Sequence, residues 1–172
     1  MACSISLNGS AIDCGQIGGL KEVYITPVED VTGTITIASG EVDAVPLASG
    51  KKFKLFAFRK GNANFVSTGN VDDAAGTKYV ETVLTAQLNK METAKRTEMS
   101  AIMASQVYVI AKDYNGLYWF IGYGGYGYGN VNGQSGAQMG DANNYTLTIT
   151  AQTPDLPYVV KSSLLSGVGS II

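Results

Sequence analysis

Between Asn89 and Tyr123 the chain changes its hydrophobic period once, and that switch constrains the fold more than any other feature. NKMETAKRTEMSAIMAS reads as a helix. Asn89 can cap it, with Glu92 three residues on reaching back, the spacing of a capping box. Glu92 and Arg96 stand four apart, in the favourable order for a surface pair. Met99, Ile102 and Met103 make a narrow apolar stripe at helical spacing. The helix is expected to end near Ser105, because the β-branched run VYVIA fits a buried strand better. Asn115-Gly116 then offers the positive backbone angles of a tight hairpin turn, and LYWFIGY is the returning strand. A lone amphipathic helix against a sheet is a packing device, and nothing in it is catalytic.

The rest reads as strand and turn: KEVYITPV, VTGTITIA, GEVDAVPLASG, KKFKLFAFR, FVSTGNV, KYVETVLTAQL, YTLTITAQ and LPYVV. About eight or more strands with one helix predict a mainly β fold, a sandwich or small barrel flanked by the helix. At 172 residues the chain can bury a core without staples. No repeat or linker divides it. One domain over residues 1–160, with its helix near 90–105, is followed by a C-terminal arm, 161–172.

The chain has no histidine, which removes Ser-His-Asp and Cys-His catalysis and His-ligated zinc. Carboxylates remain. Asp72 and Asp73 are adjacent, so on a strand they would point to opposite faces; a turn or exposed edge is favoured over a catalytic dyad. Asp141 with Asn143 and Asn144 lacks the spacing and closing glutamate of a calcium loop, and a turn before YTLTIT is favoured. Asn8-Gly9 is a hairpin signal that places Cys3 opposite Cys14. The reducing cytoplasm favours two free thiols there, and two thiols leave no four-ligand metal set. The expectation is a non-enzyme with no catalytic, cofactor or metal site.

Two stretches imitate binding motifs. GYGGYG, Gly122 to Gly127, matches the dinucleotide fingerprint, but no helix opens after it, so the run is read as a loop. Tyr123, Tyr126 and Tyr128 then offer flat contact area, for a neighbouring subunit in preference to sugars or bases. KKFKLFAFRK carries five of the twelve cations, interleaved with aromatic residues as on an RNA platform. Nearby acids offset the charge and lysines guard strand edges, so an assembly strand is preferred.

Charged residues are 15% of the chain against about a quarter in ordinary domains, which predicts surface hidden against neighbours. The net charge of −2 argues against tight nucleic-acid binding. MACSISLNGS is not a signal peptide, and the uncharged run Tyr114–Gly140 is too broken to span a bilayer as a helix. No membrane insertion is expected, and the protein should stay in the cytoplasm or leave inside an assembled particle. The arm carries Leu164, Leu165, Val168, Ile171 and Ile172, and is expected to dock on an adjacent subunit.

Four stretches together resemble a known family: CGQIGGLKEVYITPVEDV, YVETVLTAQLNK, the helix–hairpin stretch and MGDANNYTLTITAQTPDLPYVV. They are similar to the tail-tube proteins of phages of Bacteroidetes. The shared elements are Gly-Gly-Leu before a Tyr-containing strand, Lys-Met before the helix, a Lys-Asp-x-Asn-Gly-x-Tyr-Trp hairpin and a Gly-Asp-x-Asn-x-Tyr-Thr-Leu-Thr strand. They run in the same order over roughly residues 14–160. The Tyr/Gly run after Tyr123 and the apolar last residues fall outside the pattern. The resemblance implies a virion structural protein of the tail, assembled in the host cytoplasm. It also implies stacked, typically hexameric rings that meet other tail proteins and conduct DNA without binding it specifically. Each subunit would lend strands to a shared inner barrel, with the helix outside. A neck, ring or tail-completion protein of the same fold is the alternative within the virion. A carbohydrate-binding module using the Tyr-rich run and Trp119 is the alternative of another class.

Overall fold

The computed structural model describes Gly9, residues 15–165 and residues 171–172. Cys3, Cys14 and Val168 lie outside the described residues, and so does the expected Cys3–Cys14 pairing. The strands are β1 (Leu20–Pro27), β2 (Thr36–Ala38), β3 (Glu41–Ala44), β4 (Lys54–Phe56), β5 (Ala63–Asp72) and β6 (Thr77–Asn89). After helix α1 (Thr93–Ala104) come β7 (Gln106–Asp113), β8 (Tyr118–Ile121), β9 (Gly127–Gln134), β10 (Asn144–Thr153) and β11 (Tyr158–Val160). The chain is mainly β, as expected, with one α-helix among the described residues. That helix is too short to cross a membrane.

All eleven strands join one sheet, in the order β2-β3-β11-β8-β7-β9-β10-β6-β5. β1 branches from β7, and β4 from β1. Among the described residues the sheet does not close into a barrel, one form the sequence suggested: β2, β4 and β5 each pair there on one side only. The sheet still curls strongly, as twisted sheets of many strands do. Phe65 of β5 meets Trp119 of β8, their ring centres 6.2 Å apart, although the two strands stand at opposite ends of the series β8-β7-β9-β10-β6-β5.

β7 is the hub. β1 pairs along one side; β8 and the start of β9 share the other. Between them Gly122 turns the chain at φ 110°, a conformation favouring glycine. Both faces of β7 are buried. Val107, Val109 and Ala111 join one core with β1, β6, β10 and α1; Ile110 joins a second with Val42, Phe53, Phe120 and Val160. Burial on both faces explains why VYVIA is continuously apolar rather than alternating.

The helix starts later than the capping-box reading had it. Asn89 ends β6, and Lys90 follows in the left-handed region, φ 65°. Asn143 receives the freed amides: Lys90 N–H donates to its carbonyl and Met91 N–H to its side chain, both at 2.8 Å. Glu92 becomes the N-cap residue but makes no side-chain cap bond. Its carboxylate pairs with Lys95 at 3.0 Å and Lys90 at 3.3 Å, not with Arg96. The end at Ser105 is as expected. Met99 and Ile102 are buried, whereas Met103 is 53% exposed and lies off the stripe.

The loop reading of the Tyr/Gly run holds for residues 122–126, which turn the chain, and is overturned from Gly127 on, because residues 127–134 form β9, inside the sheet. Its glycines serve close packing. A Cβ on Gly127 would lie 2.6 Å from Ile149 Cγ2, and one on Gly129 only 2.4 Å from Ile102 Cγ2. The bare backbone of β9 is thus the floor on which α1 rests.

The described part of the arm joins the second core. Ile171 is buried in the second core of its own subunit, and Leu164, Leu165 and Ile172 pack beside it. Phe53 N–H donates to the Ile171 carbonyl at 2.8 Å, and Ile171 N–H to the Leu164 carbonyl at 2.9 Å. Apolar side chains between β3, β11 and the Phe53 segment supply enough surface to hold the described part of the arm at home.

Candidate assembly surface

β6 alternates cleanly. Val80, Thr82, Leu84, Ala86 and Leu88 are buried, so Tyr79, Glu81, Val83, Thr85 and Gln87 face the other way. The register extends that outer face across the neighbouring strands. β5 adds Asn64, Val66, Thr68 and Asn70; β10 adds Thr146, Thr148, Thr150 and Gln152. β9 completes it with Tyr128, Asn130, Asn132 and Gln134. Of these side chains only Glu81 is charged, and Gln152 donates to it at 3.1 Å. The result is a four-stranded face of hydroxyls and amides that offers no cation.

β5 borders this face as an open edge. It has ten residues, pairs only with β6 among the described residues, and contains neither proline nor lysine to discourage further pairing. Val66 and Val71 are 56% and 75% exposed. The other edges are short: β2 and β4 have three residues each, and β4 carries Lys54. The aromatic residues of KKFKLFAFRK turn inward: Phe53 is buried in the second core, and Phe56 and Phe58 pack on the first. No stacking platform is left for bases.

The interface candidates separate into two groups. Tyr123 packs edge-on against Tyr158, ring centres 5.5 Å apart, in the same core as Leu164, Leu165, Ile171 and Ile172. Tyr126 and Tyr128 remain exposed and line an open groove with Gly125, Thr150 and Gln152. Gln106 Nε2 donates to the Tyr128 hydroxyl at 3.1 Å. Trp119 lies in a different cleft, about 330 Å³, beside Phe65 and Asp113. Its Nε1 donates to Asp113 Oδ2 at 3.0 Å. The structure does not bring Trp119 and the exposed tyrosines into one site.

The carboxylates organise turns. Asp72 Oδ1 accepts from Ala75 N–H at 3.0 Å in the β5–β6 turn. Asp141 Oδ2 accepts from the amides of Ala137 and Gln138, both at 2.8 Å. Those two backbone hydrogen bonds hold the Asp141 carboxyl below its ordinary pKa. Among the described residues no group of three or more His, Cys, Asp or Glu could hold a metal ion.

Sequence reasoning missed the cation-free face because it is assembled by register. Its signal was present in the alternation of TLTITAQ and GYGNVNGQ, where Thr, Asn, Gln and Tyr recur at every second position. No protein-family model, curated protein or solved structure matches the chain.

Proposed function

We propose that this chain is a structural subunit of a hollow assembly of the phage tail-tube type, built of stacked rings around a channel for DNA. The observation that carries the reading is the β5-β6-β10-β9 face. It is wide, hydroxyl- and amide-rich and free of cations, and it ends on an unguarded strand edge. A channel wall for DNA must avoid phosphate contacts, since each Lys or Arg that neutralises a phosphate releases counterions and adds affinity. The edge of β5 would be satisfied by a neighbouring copy, which joins the four-stranded faces of successive subunits into one inner wall. The helix lies on the opposite side of β9 from this face and would stand outside. The sequence resemblance to tail-tube proteins of Bacteroidetes phages supports the same reading, under which the assembled protein would lie in the virion tail.

Light scattering over a wide concentration range tests it. Multiples of the 18.1 kDa subunit are expected, growing with concentration. A stable monomer throughout would overturn the proposal.

A further inference from the structure

We propose that copies of this chain bind end to end along the strand axis, the Asp72–Asp73 turn of one copy seating in the Arg59–Lys90 groove of the next. The inference rests on the tube reading and supplies the contact that stacks its rings.

Charge is divided between the two ends of the long strands. The β5–β6 turn and the residues after β10 carry Asp72, Asp73 and Asp155, against one cation, Lys78, opposite Val71. Three acids against one base leave −2 at this end. The opposite end gathers Arg59 and Lys60 before β5, Lys90 after β6, and Lys95 and Arg96 in the first turns of α1. Glu92 and Asp141 are among its acids, and the bases outnumber the acids. Glu92 is held by Lys90 and Lys95, and the Asp141 carboxylate is turned onto two backbone amides. Arg59, Asp72 and Asp73 make no ion pair among the described residues.

Shape agrees with charge. An open groove of about 510 Å³ lies at the basic end, lined by Arg59, Lys90, Asp141 and the backbone near Asn143. The acidic end is a narrow tip. Residues 71–79 are all exposed, and the turn Asp72-Asp73-Ala74-Ala75-Gly76 has small side chains behind its carboxylates. The Asp72–Ala75 hydrogen bond fixes its form before docking. The ladder to β10 stops at Val80–Thr153, so the tip projects beyond its neighbour. A tip at one end and a groove at the other make a heterologous contact, which propagates as an open stack instead of closing on a pair.

The test uses the full chain with Asp73→Lys, Arg59→Glu and the double variant, each checked by thermal melting for an intact fold. Particle length is read by electron microscopy and sedimentation at low and high salt. Each single variant should form rings that fail to stack, and the double variant should regain stacks. Wild-type stacks should shorten as salt rises, because the pairs are exposed. Single variants that stack as well as the wild type, or a double variant no better than the singles, would overturn the inference while leaving the tube reading intact. Absence of any oligomer in the wild type would instead remove the tube reading, and this one with it.

Discussion

Gly129 and Ile102 meet so closely that a Cβ on the glycine would sit 2.4 Å from Ile102 Cγ2. The contact seats α1 on β9, and it rests on the absence of a side chain. Gly129→Ala should force the helix off its floor and destabilise the fold by about 1–3 kcal/mol, the usual cost of overpacking. Gly69→Ala is the control: it lies in β5 with nothing within 4 Å of the added Cβ. That change should be neutral or stabilise by about 0.4–1 kcal/mol through the unfolded chain. Urea unfolding midpoints of the two variants give the comparison.

The end of the chain belongs to the second core. Ile171→Ala should cost about 2–5 kcal/mol, as for other buried aliphatic truncations. Removing residues 162–172 should lower the melting temperature further, because the Phe53 amide loses its carbonyl partner as well. Thermal melts check both; a truncated chain as stable as the full one would contradict this placement.

Local patterns were legible where one element decides its own form. The mainly β class, the end of α1 at Ser105 and the turn role of Asp72 follow from β-branched runs and turn residues. The Asn115-Gly116 hairpin is present, although only Gly116 takes a positive φ and Asp113 closes a three-residue loop. What escaped depends on distant partners. Asn89 has the credentials of a cap, but Asn143 takes the Lys90 and Met91 amides and moves the helix start. The glycines of β9 suggest a loop until α1 and β10 are seen pressing on them. Ile171 suggests an exposed arm until Phe53 is beside it. The candidate wall needed the register of four strands at once.

The loop before β10 should respond to acid. The Asp141 carboxyl titrates below its ordinary value, so its hold on the loop is complete above the usual carboxylate range near pH ~4. That hold is lost as pH falls through the lowered folded value. Amide exchange at Ala137 and Gln138, corrected for intrinsic rates, should therefore accelerate on acidification below about pH 4. Asp141→Asn should flatten that dependence. Exchange that stays slow at low pH would contradict the assignment.

A cation placed on the β5-β6-β10-β9 face should make it adhere to DNA. Thr148 is central on β10, between Thr85 and Asn130. Thr148→Lys should leave assembly intact and create salt-sensitive DNA binding, with the logarithmic salt slope steepening by about 0.9 per phosphate contacted. Titration of labelled duplex against wild-type and variant particles reads this directly. Equal binding by both would show that the face does not meet DNA.

Negative-stain electron microscopy of the purified protein tests the central claim most directly. The account predicts hollow, stain-filled tubes or short stacks of rings with a regular axial repeat. A field of single particles no larger than an 18.1 kDa monomer, at concentrations up to the solubility limit, would contradict it.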